Sequence, residues 1–144
     1  MHRLITVGKI KNPALAEFAE ELQKRMTRFF KLEIKELKES HLEKESLQIL
    51  PWMKGYYNVA LQIEGKMLDS LAFSDFLFKS QRDMPLCFIL GGPDGLSLKV
   101  IESCVFQLSL SPMTFPHDLA RLLLLEQIYR AGTIFQGHPY HLKH

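Results

Sequence analysis

A short apolar run that ends in a glycine-rich turn constrains the fold of this chain most. Residues 86–90 have the sequence LCFIL, without a polar residue, and residues 91–95 have the sequence GGPDG. A strand without alternating polar residues is typical of a sheet that is covered on both faces. Ser97, after this turn, predicts the N-cap of a short helix. The run therefore indicates a buried strand inside a layered α/β fold.

Other segments continue an alternation of strands and helices. We predict strands at residues 4–7, 32–34, 57–63 and 106–110, a turn at 64–66, a segment of ambiguous period at 70–81 and a helix from about 117 to 131. Asn12 and Pro13 predict the start of another helix. Apolar residues at spacings of three and four predict its core face: Leu15, Phe18, Leu22, Met26 and Phe29. The charged segment 38–48 is interpreted as a solvated helical face. The pattern predicts a mainly parallel sheet flanked by helices.

Composition and length indicate one soluble globular domain, residues 1–144, with 47% hydrophobic and 24% charged residues. The net charge of +2 provides no strong attraction to nucleic acid. No membrane span is expected, since four polar residues interrupt the most apolar stretch, 119–135. The first residues hold too few apolar side chains for a signal peptide, so we expect a cytoplasmic protein. Cys87 and Cys104 are interpreted as small buried hydrophobic residues, and no metal site is predicted.

Three loops follow predicted strands, at residues 64–69, 91–96 and 111–116. Ligands of parallel sheets bind beyond the carboxyl ends of the strands, so these loops are candidate binding elements. The glycine spacing at 91–95 fits neither a dinucleotide fingerprint nor a P-loop, and an ordinary tight turn explains it equally well. The 111–116 loop, SPMTFP, is either a stiff binding wall or a helix cap with Met113 and Phe115 in the core.

The last part of the chain carries two open interpretations. The helix after residue 117 is apolar over more than one face, which favours either a second subunit or a fully buried helix. From residue 117 onward, histidine, arginine and tyrosine concentrate in the last 28 residues, which are interpreted either as a nucleic-acid contact or as a frayed polar tail. The residues concerned are His117, Arg121, Arg130, His138, Tyr140, His141, Lys143 and His144.

Several sequence blocks, in this order and spacing, resemble a known family. They are LGGPDGLS at residues 90–97, LSLS at 108–111, TFPH at 114–117, Arg121, Glu126, YRA at 129–131 and HPYH at 138–141, with VGK at 7–9 near the start. The chain resembles the RlmH (YbeA-like) methyltransferases of the SPOUT class, which methylate N3 of a pseudouridine in large-subunit (23S) ribosomal RNA. The resemblance covers nearly the whole chain, strongly after Leu86 and more loosely at 38–56.

The resemblance implies a cytoplasmic homodimer with a C-terminal deep trefoil knot, S-adenosyl-L-methionine as the cofactor, and ribosomal RNA within the large subunit or whole ribosome as the partner. It places the cofactor at Leu61, Gly92, Ser111, Pro112, Met113, Thr114, Phe115 and Pro116. It places the RNA substrate at Arg130, His138, Tyr140 and His141, completed by the partner subunit. His138 or His141 is the candidate general base. The alternative hypothesis is a non-catalytic α/β module that binds a nucleotide or RNA.

Overall fold

The computed structural model describes residues 1–143, with side chains up to residue 142, so the predicted contacts of the Lys143 side chain and of His144 lie outside the described part. Strands and helices alternate along the chain, as predicted. The elements are β1 (His2–Val7), α1 (Pro13–Met26), β2 (Leu32–Leu37), α2 (Leu42–Met53), β3 (Tyr57–Met67), α3 (Ser70–Ser80), β4 (Leu86–Leu90), α4 (Leu98–Glu102), β5 (Phe106–Ser109), α5 (His117–Phe135) and α6 (Tyr140–Lys143).

The strands form one sheet in the order β2-β1-β4-β3-β5, and every neighbouring pair is parallel. Strand β4 lies at the centre and all of its residues are buried. Helices α1, α3 and α5 cover one face, and α2 and α4 cover the other. The predicted parallel sheet with helices on both faces is therefore confirmed. Within residues 1–143, no helix is both long enough and apolar enough to cross a membrane.

Helix α1 begins as predicted. The side-chain oxygen of Asn12 accepts hydrogen bonds from the backbone N–H groups of Ala14 and Leu15, at 2.9 and 3.2 Å. The prediction that its whole apolar stripe is core is wrong for Phe18, whose side chain is 49% exposed. A stripe at spacings of three and four is wider than the contact with the sheet and α5, and Phe18 lies at its uncovered edge.

The predicted turn at residues 64–66 is wrong, because β3 continues through this segment. Leu61 and Lys66 both lie opposite Leu108 of β5, so the residues between them bulge out of the ladder. The Glu-Gly-Lys sequence carries a local turn signal, but pairing with β5 outweighs it. This bulge lies at the carboxyl end of β3, where one candidate loop was expected.

The charged segment at 38–48 contains the start of α2, and its interpretation as solvated is wrong for Glu45. That side chain is 2% exposed, and its carboxylate accepts a hydrogen bond from the backbone N–H of Ser40 at 2.7 Å. Cys87 is a buried hydrophobic residue as predicted, whereas Cys104 is only partly buried and packs against the core below α4. Burial raises the pKa of Cys87 to about 12 and that of Cys104 to about 11, which disfavours a thiolate nucleophile in either position.

Candidate active site

The turn between β4 and α4 depends on its glycines. The N–H of Gly95 donates to the carbonyl of Gly92 at 2.9 Å, and Gly95 has a φ of +74°, which favours glycine. A Cβ built at Gly91 would overlap the carbonyl oxygen of Gly95. The requirements of a tight turn thus account for Gly91 and Gly95 without a ligand.

Gly92, the predicted cofactor contact in this turn, lies against the end of β1. A Cβ at this position would be 3.1 Å from Cγ1 of Val7 and 3.8 Å from Oε1 of Glu45. A side chain at Gly92 would therefore press on β1 and α2. Consequently, a substitution here perturbs packing as well as any ligand contact at the Gly92 backbone.

The 111–116 loop is an exposed and internally braced segment. The hydroxyl of Ser109 donates to the carbonyl of Ser111 at 3.0 Å, and the N–H of Met113 donates to Oγ of Ser111 at 3.0 Å. The side chain of Met113 is 72% exposed, so it does not fill the core. Neither Ser111 nor Thr114 caps α5, because the N-cap residue is Pro116. Of the two interpretations left open by the sequence, the structure favours the stiff wall.

Two side chains at the start of α5 fix the end of this loop, one to β1 and the other to the connection between β1 and α1. Oγ1 of Thr6 and Nε2 of His117 are joined by a hydrogen bond of 2.9 Å. The carboxylate of Asp118 accepts from the backbone N–H groups of Lys11 and Asn12, at 3.0 and 3.4 Å. Burial lowers the pKa of His117, so this imidazole is neutral near pH 7. His117 therefore anchors the loop and lies apart from the C-terminal histidines with which the sequence grouped it.

A cavity of about 430 Å³ opens beside the 111–116 loop. This volume lies within the range of small-molecule sites. It is bounded by the β3–α3 connection, the end of β5 and α5, and Phe115 is the predicted cofactor residue that lines it. Leu61 lies next to it, since Leu61 pairs with Leu108 and both pack on the same face of the sheet. The lining residues are Leu68, Asp69, Ser70, Phe73, Leu108, Ser109, Leu110, Phe115, Leu123 and Gln127.

One buried donor at this edge lacks a partner among the described residues. Nε2 of Gln62, the residue after Leu61, is buried without a hydrogen bond. Buried donors are nearly always paired, so this one indicates a polar partner that the described part of the single chain does not supply. Gln62 does not line the cavity, and successive residues of a strand point to opposite faces of the sheet, so its side chain is not expected on the face of Leu61. No local pattern singles out Gln62, because the sequence predicts a turn at 64–66 where β3 continues.

The structure brings three of the four predicted substrate residues together around one carboxylate. Nε and Nη2 of Arg130 each lie 2.8 Å from Oε1 of Glu126. The guanidinium carbon lies 5.0 Å from the ring centroid of Tyr140, and Nη1 lies 3.1 Å from Nδ1 of His141. Tyr129 contacts the Tyr140 ring edge to face at 4.9 Å. We call Glu126, Arg130, Tyr140 and His141 the C-terminal cluster.

In the sequence Glu126 stands out only as part of a motif, although its spacing of four residues from Arg130 predicts an ion pair on a helix. His138, the fourth predicted substrate residue, is exposed, and its Nδ1 accepts from the N–H of Tyr140 at 3.1 Å. The tail therefore folds back along α5, which disfavours the frayed-tail interpretation.

Both tail histidines have Nδ1 engaged as an acceptor. Arginine carries only donors, so Nδ1 of His141 accepts from Arg130, as Nδ1 of His138 accepts from Tyr140. A neutral imidazole that accepts at Nδ1 carries its proton on Nε2. In this arrangement Nε2 of each histidine is a donor, and action as a general base first requires its Nδ1 contact to break.

The 111–116 loop and the C-terminal cluster lie at different positions along α5. The helix has 19 residues, and it begins directly after the loop. At a rise of about 1.5 Å per residue, Arg130 lies roughly 21 Å along the axis from the loop. The two groups of predicted site residues therefore form two separate regions within one chain.

Comparison with known proteins gives the class to which this fold and site belong. A family described as "Predicted SPOUT methyltransferase" matches residues 1–141. A probable methylase family protein from Haemophilus influenzae has a similar structure, with a TM-score of 0.59 and 8% identity over 96% of this chain and 69% of that chain. A probable methyltransferase from Bordetella pertussis has a TM-score of 0.56 and 12% identity over 90% of this chain and 92% of that chain. The chain belongs to the SPOUT methyltransferase family.

Its relatives narrow the family further. The chain is 41% identical over 140 residues to the "Ribosomal RNA large subunit methyltransferase H" of Synechococcus sp. (strain CC9311), covering 96% of this chain and 94% of that protein. It is 42% identical over 158 residues to the protein with the same description in Clostridioides difficile (strain 630), covering 96% and 97%. The resemblance to the RlmH methyltransferases is therefore confirmed over nearly the full length.

Proposed function

We propose that this protein is an S-adenosyl-L-methionine-dependent methyltransferase that methylates N3 of a pseudouridine in large-subunit ribosomal RNA, acting in the cytoplasm on assembled ribosomes. One observation carries the proposal: the near full-length similarity to relatives described as ribosomal RNA large subunit methyltransferase H. The strand order also supports the trefoil knot that the resemblance implies, because β4 lies between two strands that precede it in the chain.

The residues at the carboxyl edge of the sheet fit the methyl donor. A flat adenine ring needs an apolar cover and polar edge contacts, which Leu61, Met113 and the exposed backbone of the 111–116 loop provide. The cavity lined by Phe115 offers adjoining space, and Asp69, Ser70 and Gln127 in its lining offer polar groups. When bound, the donor supplies an electrophilic methyl group on its sulfonium sulfur.

The chain contributes positioning to the reaction. Two prolines and the Ser111 hydroxyl stiffen the loop, and the Thr6–His117 hydrogen bond fixes its end, so the donor's surroundings are preformed. Arg130 and the Nε2–H groups of His138 and His141 offer donors to phosphate and to the oxygens of the target base. A cationic guanidinium beside that base favours its deprotonated form at N3. Neither cysteine participates.

We further propose that the enzyme is a homodimer in which the C-terminal cluster of one subunit faces the 111–116 loop of the other. The 111–116 loop and the C-terminal cluster lie roughly 21 Å apart along α5 of one chain. When the α5 helices of two chains pack antiparallel about a two-fold axis, the N-terminal end of one helix lies beside the C-terminal end of the other, so the two regions meet between subunits. The exposed side chain of Phe18 on α1 supports such an interface. On α5, which packs against α1, the side chains of Leu119 and Leu122 are only partly buried in the single chain, so they are available to the same interface.

The alternative, a non-catalytic binding module, keeps the pocket without the transfer. The relatives described as methyltransferases over nearly the full chain length disfavour it. Calorimetry with S-adenosylhomocysteine tests the pocket. Met113→Asp should weaken binding by about tenfold or more, equivalent to about 1.4 kcal/mol, because it puts a carboxylate where an apolar side chain should cover adenine. Met84→Asp, at another exposed methionine, is the matched control and should bind as the unmodified protein does.

Transfer itself is tested with ribosomes from a strain that lacks its own enzyme of this family. We expect label from a methyl-labelled donor to appear in large-subunit RNA, at a pseudouridine whose N3 carries the new methyl group. Arg130→Ala should reduce this transfer and leave the affinity for the donor unchanged. Lys99→Ala, on α4, is the control and should leave the transfer unchanged. Donor binding without transfer to ribosomes or isolated RNA would instead support the binding module.

A further inference from the structure

The end of α1 and the turn after it carry basic side chains with no acidic residue between them. Residues 22–32 contain four basic side chains and no acidic one. All four are exposed, and α1 ends within this segment. The four are Lys24, Arg25, Arg28 and Lys31, and we call them the α1 basic segment.

This segment lies beside the C-terminal cluster. The rings of Phe29 and Tyr129 have centroids 6.1 Å apart, and Tyr129 in turn contacts Tyr140 at 4.9 Å. A Cβ at Gly132 of α5 would lie only 2.5 Å from Cβ of Phe29, so α5 approaches the turn after α1 closely at this end. The aromatic contacts therefore connect the basic segment to the tail across one continuous surface.

The charges of the segment are available to a ligand. Arg25 pairs with Glu21 on the surface, and both side chains are more than half exposed. Such exposed pairs contribute little stability, so a phosphate can replace the carboxylate at low cost. The guanidinium of Arg28 lies 5.6 Å from the ring centroid of Phe29. Burial and the negative charge of Glu126 raise the pKa of Tyr140, and the positive charges of Arg130 and Arg25 oppose that shift.

We infer that the α1 basic segment binds phosphates of the ribosomal RNA that flank the target nucleotide, extending the substrate surface beyond the C-terminal cluster. The inference rests on the proposed function. It explains how a protein with a net charge of only +2 holds RNA: four cations are concentrated beside the substrate residues. RNA is favoured as the partner because basic side chains and partly exposed aromatic rings share this surface.

The test measures ribosome binding of Arg25→Gln/Arg28→Gln across a range of salt concentrations. Loss of two phosphate contacts should weaken binding about tenfold or more near 0.1 M salt and reduce the slope of log affinity against log salt by about 1.4 to 1.8. The variant Arg25→Lys/Arg28→Lys keeps both positive charges, so its ribosome affinity and its salt slope should be close to those of the unmodified protein. Lys44→Gln/Lys99→Gln, on the opposite face of the sheet, removes the same charge and should leave the slope unchanged. Affinity for S-adenosylhomocysteine should stay constant throughout.

Three results would overturn the inference: an unchanged slope in Arg25→Gln/Arg28→Gln, an equal decrease in the Lys44/Lys99 control, or crosslinks from the segment to ribosomal proteins instead of RNA. Failure of the proposed function looks different, because the unmodified protein would then not methylate ribosomes at all. All substituted side chains are exposed, so loss of folding does not interfere.

Discussion

Replacing Glu126 by glutamine should impair transfer by releasing Arg130. Two guanidinium nitrogens of Arg130 lie 2.8 Å from one carboxylate oxygen, and the side chains are 12% and 19% exposed. Hydrogen bonds to charged groups at such partly buried sites contribute about 1.5 to 3 kcal/mol. If that orientation is needed in the transition state, kcat/KM should fall by roughly tenfold to a hundredfold.

The assay is single-turnover methyl transfer to ribosomes with saturating donor. Asp75→Asn is the matched control, since Asp75 and Lys79 form a pair with the same spacing but are more than 60% exposed. Donor affinity should be unchanged in both variants. Full activity of Glu126→Gln, in a protein that is active before substitution, would refute the positioning role of Glu126.

Three further predictions concern the scaffold. Gly65→Ala should lower the urea midpoint, because its Cβ would lie 2.7 Å from the carbonyl oxygen of Gln107, and an unchanged midpoint would contradict the close strand packing. Nδ1 of His2 accepts a hydrogen bond from the N–H of Leu86, and burial lowers the pKa of His2 to about 4. As the pH falls, His2 is therefore protonated in the unfolded chain before it is protonated in the folded chain. The free energy of unfolding should therefore decrease, by at most about 1.4 kcal/mol per pH unit, between about pH 6.5 and 4, and less so in His2→Asn; an equal decrease would exclude His2. Cys87 should resist iodoacetamide at pH 8 until the protein unfolds, as peptide mass spectrometry can show.

The local sequence predicted those parts of the fold that depend on local chemistry. Asn12 and Ser97 cap helices, and the run at 86–90 is a buried central strand. The turn predicted at 64–66 failed, because pairing with β5 decides the conformation there. The core prediction failed at Phe18, since spacing along a helix does not show how wide its contact is.

The candidate site divides in the same way. The 111–116 loop was recognisable from its prolines and hydroxyls. The ion pair between Glu126 and Arg130 was accessible from spacing, but its contact with Tyr140 and His141 depends on the tail folding back along α5. The cavity beside Phe115 depends on how the β3–α3 connection, the end of β5 and α5 come together, which no local pattern encodes.

A purified heterodimer tests most directly whether two chains build one active site. One chain carries Met113→Asp and the other Arg130→Ala, and two different affinity tags select the mixed species. Each variant is impaired as a homodimer when the donor concentration is below saturation. If the cluster of one subunit serves the loop of the other, one of the two sites is intact, and transfer should return to about half the unmodified rate. A heterodimer that remains as impaired as either parent would contradict the shared site.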